Sequence, residues 1–146
     1  KYLEATPEPS LTDLYTGSAR WLNVAATAGD DMALRAEAAR KGLEYVDRVI
    51  AAAKPDPSFL QRKARLIISG NGNKANAEAI ANYDEMIKML DADPANADPA
   101  NPNNSLNLYK EAYMFNIQYF TDVEPNEEKA VEFSNKLKEV NEKLGN

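Results

Sequence analysis

Catalytic sites most often recruit His or Cys, and this chain has neither; the one-letter sequence contains no H and no C. The commonest general base and the commonest metal ligand are therefore missing. Disulfides, thiolate nucleophiles and zinc sites built from Cys or His cannot form in this chain alone. What remains is carboxylate and amide chemistry. Acid–base work by paired carboxylates needs two of them facing each other across a cleft. The pairs Asp84-Glu85 and Glu127-Glu128 are sequence neighbours, and neighbours on a helix point in different directions, so they read as solvated faces. Asp91, Asp93, Asn96 and Asp98 are hard oxygen ligands of the kind calcium prefers. A calcium loop of the EF-hand type requires Gly at its sixth position and Glu at its twelfth. Counted from Asp91, those positions hold Asn96 and Pro102, so the segment reads as a solvated spacer. Gly70-Asn71-Gly72-Asn73-Lys74 is glycine-rich, but it follows a helical segment and lacks phosphate-loop spacing; it reads as a turn. The expectation is a chain without catalysis, metal or cofactor.

The surrounding composition agrees with a binding or structural role. The 146 residues are enough for one domain with its own core. A net charge of −6 argues against nucleic acid, which is gripped by clustered Lys and Arg. No apolar run reaches the roughly 18–20 residues of a membrane span. The chain starts at Lys1 rather than Met, and Lys1-Tyr2-Leu3-Glu4-Ala5 followed by Pro7 and Pro9 reads as the end of a preceding segment or a linker. A fragment of a longer protein is expected. Localisation leans to an extracytoplasmic site, the bacterial periplasm or cell envelope, with the cytoplasm as the alternative.

Six helical segments follow from apolar spacing. The first starts at Ser10, an N-cap with Asp13 three residues on, and ends near Ala28-Gly29. The second follows Asp30-Asp31 and carries the stripe Ala36, Ala39, Leu43, Val46, Ile50 and Ala53 before Pro55 and Pro57 stop it. The third runs from Ser58 to the Ser69-Gly70-Asn71-Gly72 turn, the fourth from about Lys74 to Leu90. Residues 91–104 hold Pro94, Pro99 and Pro102 and form a loop. The fifth helix runs from Ser105 to about Phe120. The sixth is capped by Asn126 and carries Ala130, Phe133, Leu137, Val140 and Leu144 on one side, Glu and Lys on the other. No stretch alternates apolar and polar as a half-buried strand does. The predicted fold class is all-α, with three antiparallel helix-turn-helix pairs.

One segment occurs twice. Gly42-Leu43-Glu44-Tyr45-Val46-Asp47-Arg48-Val49-Ile50, with Pro57 fifteen residues after its glycine, matches Ala79-Ile80-Ala81-Asn82-Tyr83-Asp84-Glu85-Met86-Ile87, with Pro94 fifteen after its alanine. From position 42 to position 79 the spacing is 37, within the roughly 20–50 residues of stacked helical repeats. The odd-numbered helices also share a large-small-large pattern, Tyr15-Ala19-Leu22, Leu60-Ala64-Ile67 and Leu108-Ala112-Phe115. The small residue permits close helix approach. In these features the chain resembles the tetratricopeptide repeat (TPR) family, whose units are 34-residue helix pairs with a small residue on each helix, an aromatic in the second helix and a closing Pro. Ala79-Ile80, Tyr83 and Pro94 give the best local match, and Gly42-Leu43 with Pro57 follows. The resemblance covers about residues 10–145. The family's aromatic–Leu–Gly pattern is reduced here to a lone Ala, and the spacing between paired small residues varies, so the resemblance is to a divergent member.

The resemblance implies a single domain over 10–146, with units of about 10–56, 57–104 and 105–146 stacked as a short right-handed superhelix. It also implies a concave groove lined by the first helix of each pair. Carried over, the groove positions are Asp13, Thr16, Arg20 and Asn23, then Ser58, Gln61, Arg65 and Ile68, then Leu106, Tyr109, Tyr113 and Asn116. Arg20, Asn23, Arg65, Tyr109, Tyr113 and Asn116 are the implied partner-binding residues. Two arginines in equivalent positions suggest an extended, acidic protein or peptide as ligand. The family's Lys and Asn clamp for a C-terminal carboxylate is not reproduced. Two other readings stay open: a structural spacer or dimerisation domain using the open N-terminal end, and a carbohydrate or small-ligand site on Trp21 and the tyrosines.

Overall fold

The computed structural model describes residues 9–145; the linker reading of residues 1–9 falls, but for Pro9, outside them. The described residues form six helices and no strand: α1 Leu11–Ala26, α2 Met32–Ala52, α3 Pro57–Gly70, α4 Ala77–Asp91, α5 Leu106–Gln118 and α6 Glu127–Leu144. The chain is all-α, as its spacing predicts. None of these helices is long and apolar enough to cross a membrane.

Each boundary has a local cause. Ser10 Oγ accepts from Asp13 N (3.0 Å), Asp31 Oδ1 from Leu34 N (3.0 Å), Asn76 Oδ1 from Ala79 N (2.9 Å) and Asn126 Oδ1 from Lys129 N (3.1 Å). Such caps satisfy otherwise orphaned amides and stabilise a helix by about 1 kcal/mol each. Pro57 occupies the first turn of α3 with Asp56 as its cap, one residue earlier than the sequence suggests. At the start of α5 the cap oxygen comes from Asn104, which accepts from Leu106 N (3.0 Å), and not from Ser105.

Packing divides the described chain into two compact units that meet in sequence between Lys74 and Ala75, inside the second of the three expected pairs. In the first unit α1 and α2 run antiparallel: Ala25 meets Ala38 and Ala39, while Leu14 meets Tyr45 and Val49. Gly42 is where three helices converge. A β-carbon there would stand 2.5 Å from Leu66 Cδ2 and 3.2 Å from Trp21 Cβ. The buried stripe of α2 is Arg35, Ala38, Ala39, Gly42, Tyr45, Val46 and Val49. That is a rotation from the expected stripe: Ala36 is exposed and Leu43 and Ile50 are half-buried.

In the second unit α4, α5 and α6 follow one another antiparallel. Tyr83 stacks on Phe115 (5.5 Å between centroids) and donates to Glu111 Oε2 (2.6 Å). Phe133 of α6 packs against Tyr113 (6.0 Å) and Phe120 (6.1 Å). α5 continues into a π-helical turn, Tyr119–Val123, whose adjacent Tyr119 and Phe120 are both buried. The spacer before α5 is folded on itself. Asp93, Asp98 and Asn101 each precede a proline and accept from the amide two residues on (Ala95, Ala100 and Asn103, 2.9–3.0 Å). Proline fixes the backbone angle that this side-chain turn requires. Asn96 ties the loop back through Leu90 O (3.0 Å) and Ser105 N (2.7 Å).

Candidate functional site

Of the expected groove residues, Thr16, Arg20, Asn23 and Arg65 are exposed, and all four lie in the first unit on α1 and α3. These two helices are parallel neighbours. Tyr15 meets Phe59 edge-on (5.3 Å between centroids), Ser18 Oγ accepts from Arg62 Nη1 (2.8 Å), and Trp21 and Leu66 converge at Gly42. The contacts climb both helices together. Arg62 fastens this register: Nη1 also donates to Tyr15 O (2.9 Å), and its guanidinium lies over the Tyr15 ring at 4.1 Å. With Ser18 and Arg62 level, Arg20 lies two residues further on and Arg65 three. Their levels therefore differ by roughly one residue's rise, about 1.5 Å. Ser58 and Gln61 are half-buried beside them, while Ile68 is buried and belongs to the core.

The expected contacts of the second unit are elsewhere. Tyr109, Tyr113 and Asn116 are 4 %, 9 % and 0 % exposed, and Leu106 is 1 % exposed. They form an inward stripe that faces α4 and α6. Tyr109 Oη donates to Asp91 Oδ1 (2.6 Å), Tyr113 packs on Phe133, and Asn116 Nδ2 donates to Ala112 O (2.9 Å). A tyrosine is buried readily when its hydroxyl finds a partner, and Asp91 supplies one. The accessible contact role expected of these three residues is corrected accordingly, as is an aromatic ligand surface built on Tyr109 and Tyr113. Trp21 is half-buried, with Lys41 Nζ 5.1 Å from its ring. On α5 the exposed positions are Asn107 and Met114.

Electrostatics follow from this burial. The Tyr113 hydroxyl is pushed up to about 12 by loss of hydration, with Asp91 and Glu139 adding to the shift. Tyr109 is pushed up further by burial and its bond to Asp91. Asp84 is held above the usual carboxylate range because packing strips part of its hydration. Its contact with Asn116 and the cations Lys129 and Lys136 oppose that shift. Among the described residues no cluster of three or more acidic side chains could hold a metal ion. Asp91, Asp93 and Asp98 each spend an oxygen on Tyr109 or on the loop's own amides.

Two polar anchors are absent from the sequence reading. Arg62 is one. Arg35, 5 % exposed, is the other: Nη2 donates to Gly29 O (2.7 Å), Nη1 to Ser69 O (3.1 Å) and to Asn73 Oδ1 (3.0 Å). It joins the α1–α2 turn, the last turn of α3 and the turn beyond it. The signal for Arg35 is its place in the 35-38-42-45-49 heptad-like series of α2. No family model, no curated protein and no solved structure matches the chain.

Proposed function

We propose that this chain is a non-catalytic, divergent tetratricopeptide-like scaffold, and that the α1–α3 face of its first unit binds an extended acidic segment of a protein. The observation that supports this most is the parallel, level pairing of α1 and α3, fastened by Arg62 on Tyr15 and Ser18. It sets exposed Arg20 and Arg65 on neighbouring helices at nearly one height, the arrangement that equivalent helices of successive repeats would give. Guanidinium forks grip carboxylates bidentately. Asn23 adds an amide that can donate to or accept from a peptide backbone. Rigid helices hold these groups in place before the ligand arrives, so little ordering opposes binding on the receptor side.

The test is fluorescence anisotropy with extended peptides rich in Asp and Glu, against neutral peptides of equal length, with amide chemical-shift mapping on the labelled protein. The reading requires tighter binding of the acidic peptides, weakening with salt, and shifts concentrated on residues 16–23 and 58–65. Arg20→Glu/Arg65→Glu should abolish binding while leaving the circular dichroism unchanged. Shifts confined to other helices, or binding unaffected by the double substitution, would remove this face from consideration.

A further inference from the structure

The turn after α3, Gly70-Asn71-Gly72-Asn73-Lys74, carries chemistry that the binding face does not use. Asn71-Gly72 is the only Asn-Gly pair in the sequence. Asn71 is exposed. The Asn71 and Asn73 amides both donate to Ile68 O (3.0 Å each), and the Lys74 amide donates to Asn71 O (3.3 Å). The Gly72 amide between them takes part in no such bond. Gly72 has φ +67°, and the nearest atom to a β-carbon placed there would be Met32 Cε at 3.6 Å. Gly72 itself has no side chain to shield its amide from the Asn71 side chain. The backbone rotation needed is opposed by the exposed bond from Asn71 Nδ2 to Lys74 O (3.0 Å), by the weak Lys74 amide bond and by the Asn73 amide's bond to Ile68 O, three contacts confined to one surface turn.

We propose that Asn71 is a site of spontaneous covalent modification, in which the Gly72 backbone nitrogen closes on the Asn71 side-chain carbonyl. The new N–Cγ bond forms as the Cγ–Nδ2 bond breaks, and the Gly72 amide proton and the departing NH2 leave as ammonia. Water then opens the resulting succinimide at either carbonyl, giving aspartate or isoaspartate. No oxidant or reductant takes part. The product places a negative charge at the carbonyl end of α3, where the helix dipole disfavours it. It also removes the donor to Lys74 O, two residues from the Asn73 oxygen that holds Arg35.

The full chain, folded, is incubated in mildly alkaline buffer and sampled by peptide mapping, with exposed Asn103 and Asn107 as internal references. Asn71 should convert at least about tenfold faster than either reference, a difference of roughly 1.4 kcal/mol in barrier, and yield both aspartate and isoaspartate. Conversion no faster than at Asn103, or seen only after unfolding in urea, overturns the proposal. Gly72→Ala should suppress the reaction. Since a positive φ strains any L-residue there, Asn71→Gln is the second variant: its longer side chain closes a six-membered ring, and an undiminished rate at residue 71 would also overturn it.

Discussion

Replacing Arg35 by Ala should destabilise the first unit by about 2–4 kcal/mol, a range that follows from three opposed effects. Arg35 makes three hydrogen bonds, to Gly29 O, Ser69 O and Asn73 Oδ1. A bond from a charged donor contributes a net ~1.5–3 kcal/mol, so the three together reach roughly 5–9. Against this stands the desolvation of a guanidinium that is 5 % exposed and faces only neutral oxygens, several kcal/mol by itself. Water also replaces part of what is lost, because Gly29 and Asn73 are exposed while Ser69 is buried. The remainder is the stated 2–4 kcal/mol, including packing of the aliphatic stem, by the same order-of-magnitude reasoning.

The assay is urea unfolding followed by the fluorescence of Trp21, the only tryptophan and a residue of the first unit. With a urea slope of about 2 kcal/mol/M, the midpoint should fall by roughly 1–2 M. Arg35→Lys keeps the charge but loses the fork that spans three acceptors, so it should recover less than half of the loss. Arg35→Met keeps the stem without the charge. A Met variant as stable as wild type would show that desolvation cancels the three bonds, and an Ala variant within about 0.5 kcal/mol of wild type would refute the clamp altogether.

Gly42→Ala should lower stability by about 1–2 kcal/mol, because overpacking against buried Leu66 outweighs the ~1 kcal/mol gain in helix propensity; an unchanged midpoint and Trp21 emission would show that Leu66 turns aside at no cost. Tyr109→Phe should cost about 1–2 kcal/mol through loss of a short bond to a carboxylate, and calorimetry showing no fall in melting temperature would refute it. The contribution of Tyr113 to stability should be constant up to pH 10, the ordinary phenol value, and fall from there to about 12, where native Tyr113 ionises. The sign follows because the unfolded phenols lose their protons first, so the native state binds more protons in that window. Tyr113→Phe should flatten this alkaline loss in melts recorded against pH, and an unaltered profile would count against it.

The helices were legible in the sequence because their causes are local. Ser10, Asp31, Asn126 and the Pro55-Asp56-Pro57 stop act within four residues of the boundaries they set. Which face each helix buries was less legible. On α5, Tyr109, Tyr113 and Asn116 have polar atoms and read as surface, yet with Leu106 and Phe120 they repeat at three and four residues and form one core stripe. Their burial depends on partners supplied by tertiary contact: Asp91, eighteen residues before Tyr109, and Phe133 on the next helix. The α2 stripe fails for a related reason. A sequence pattern counts Arg35 as polar and so skips it, while three oxygens from three separate segments admit it to the interior. The spacer was legible as a loop, but its ladder of Asp-Pro and Asn-Pro turns is a signal that scarcity of apolar residues does not convey.

Four of the six arginines of the first unit, Arg20, Arg35, Arg62 and Arg65, separate by what surrounds them, and this bears on where a ligand could bind. Arg35 is surrounded by backbone and amide oxygens from three segments and is buried. Arg62 has two acceptors and a ring on one neighbouring helix, and it is half-buried between α1 and α3. Arg20 and Arg65 stand exposed on the same two helices. Arg35 and Arg62 donate to internal oxygens, and Arg62 fastens the register of α1 and α3. On the proposed reading, an acidic ligand meets Arg20 and Arg65 on helices whose relative height Arg62 fixes. Arg62→Met should in consequence weaken acidic-peptide binding without removing any direct contact, because Arg20 and Arg65 would lose their common level before they lose their charge.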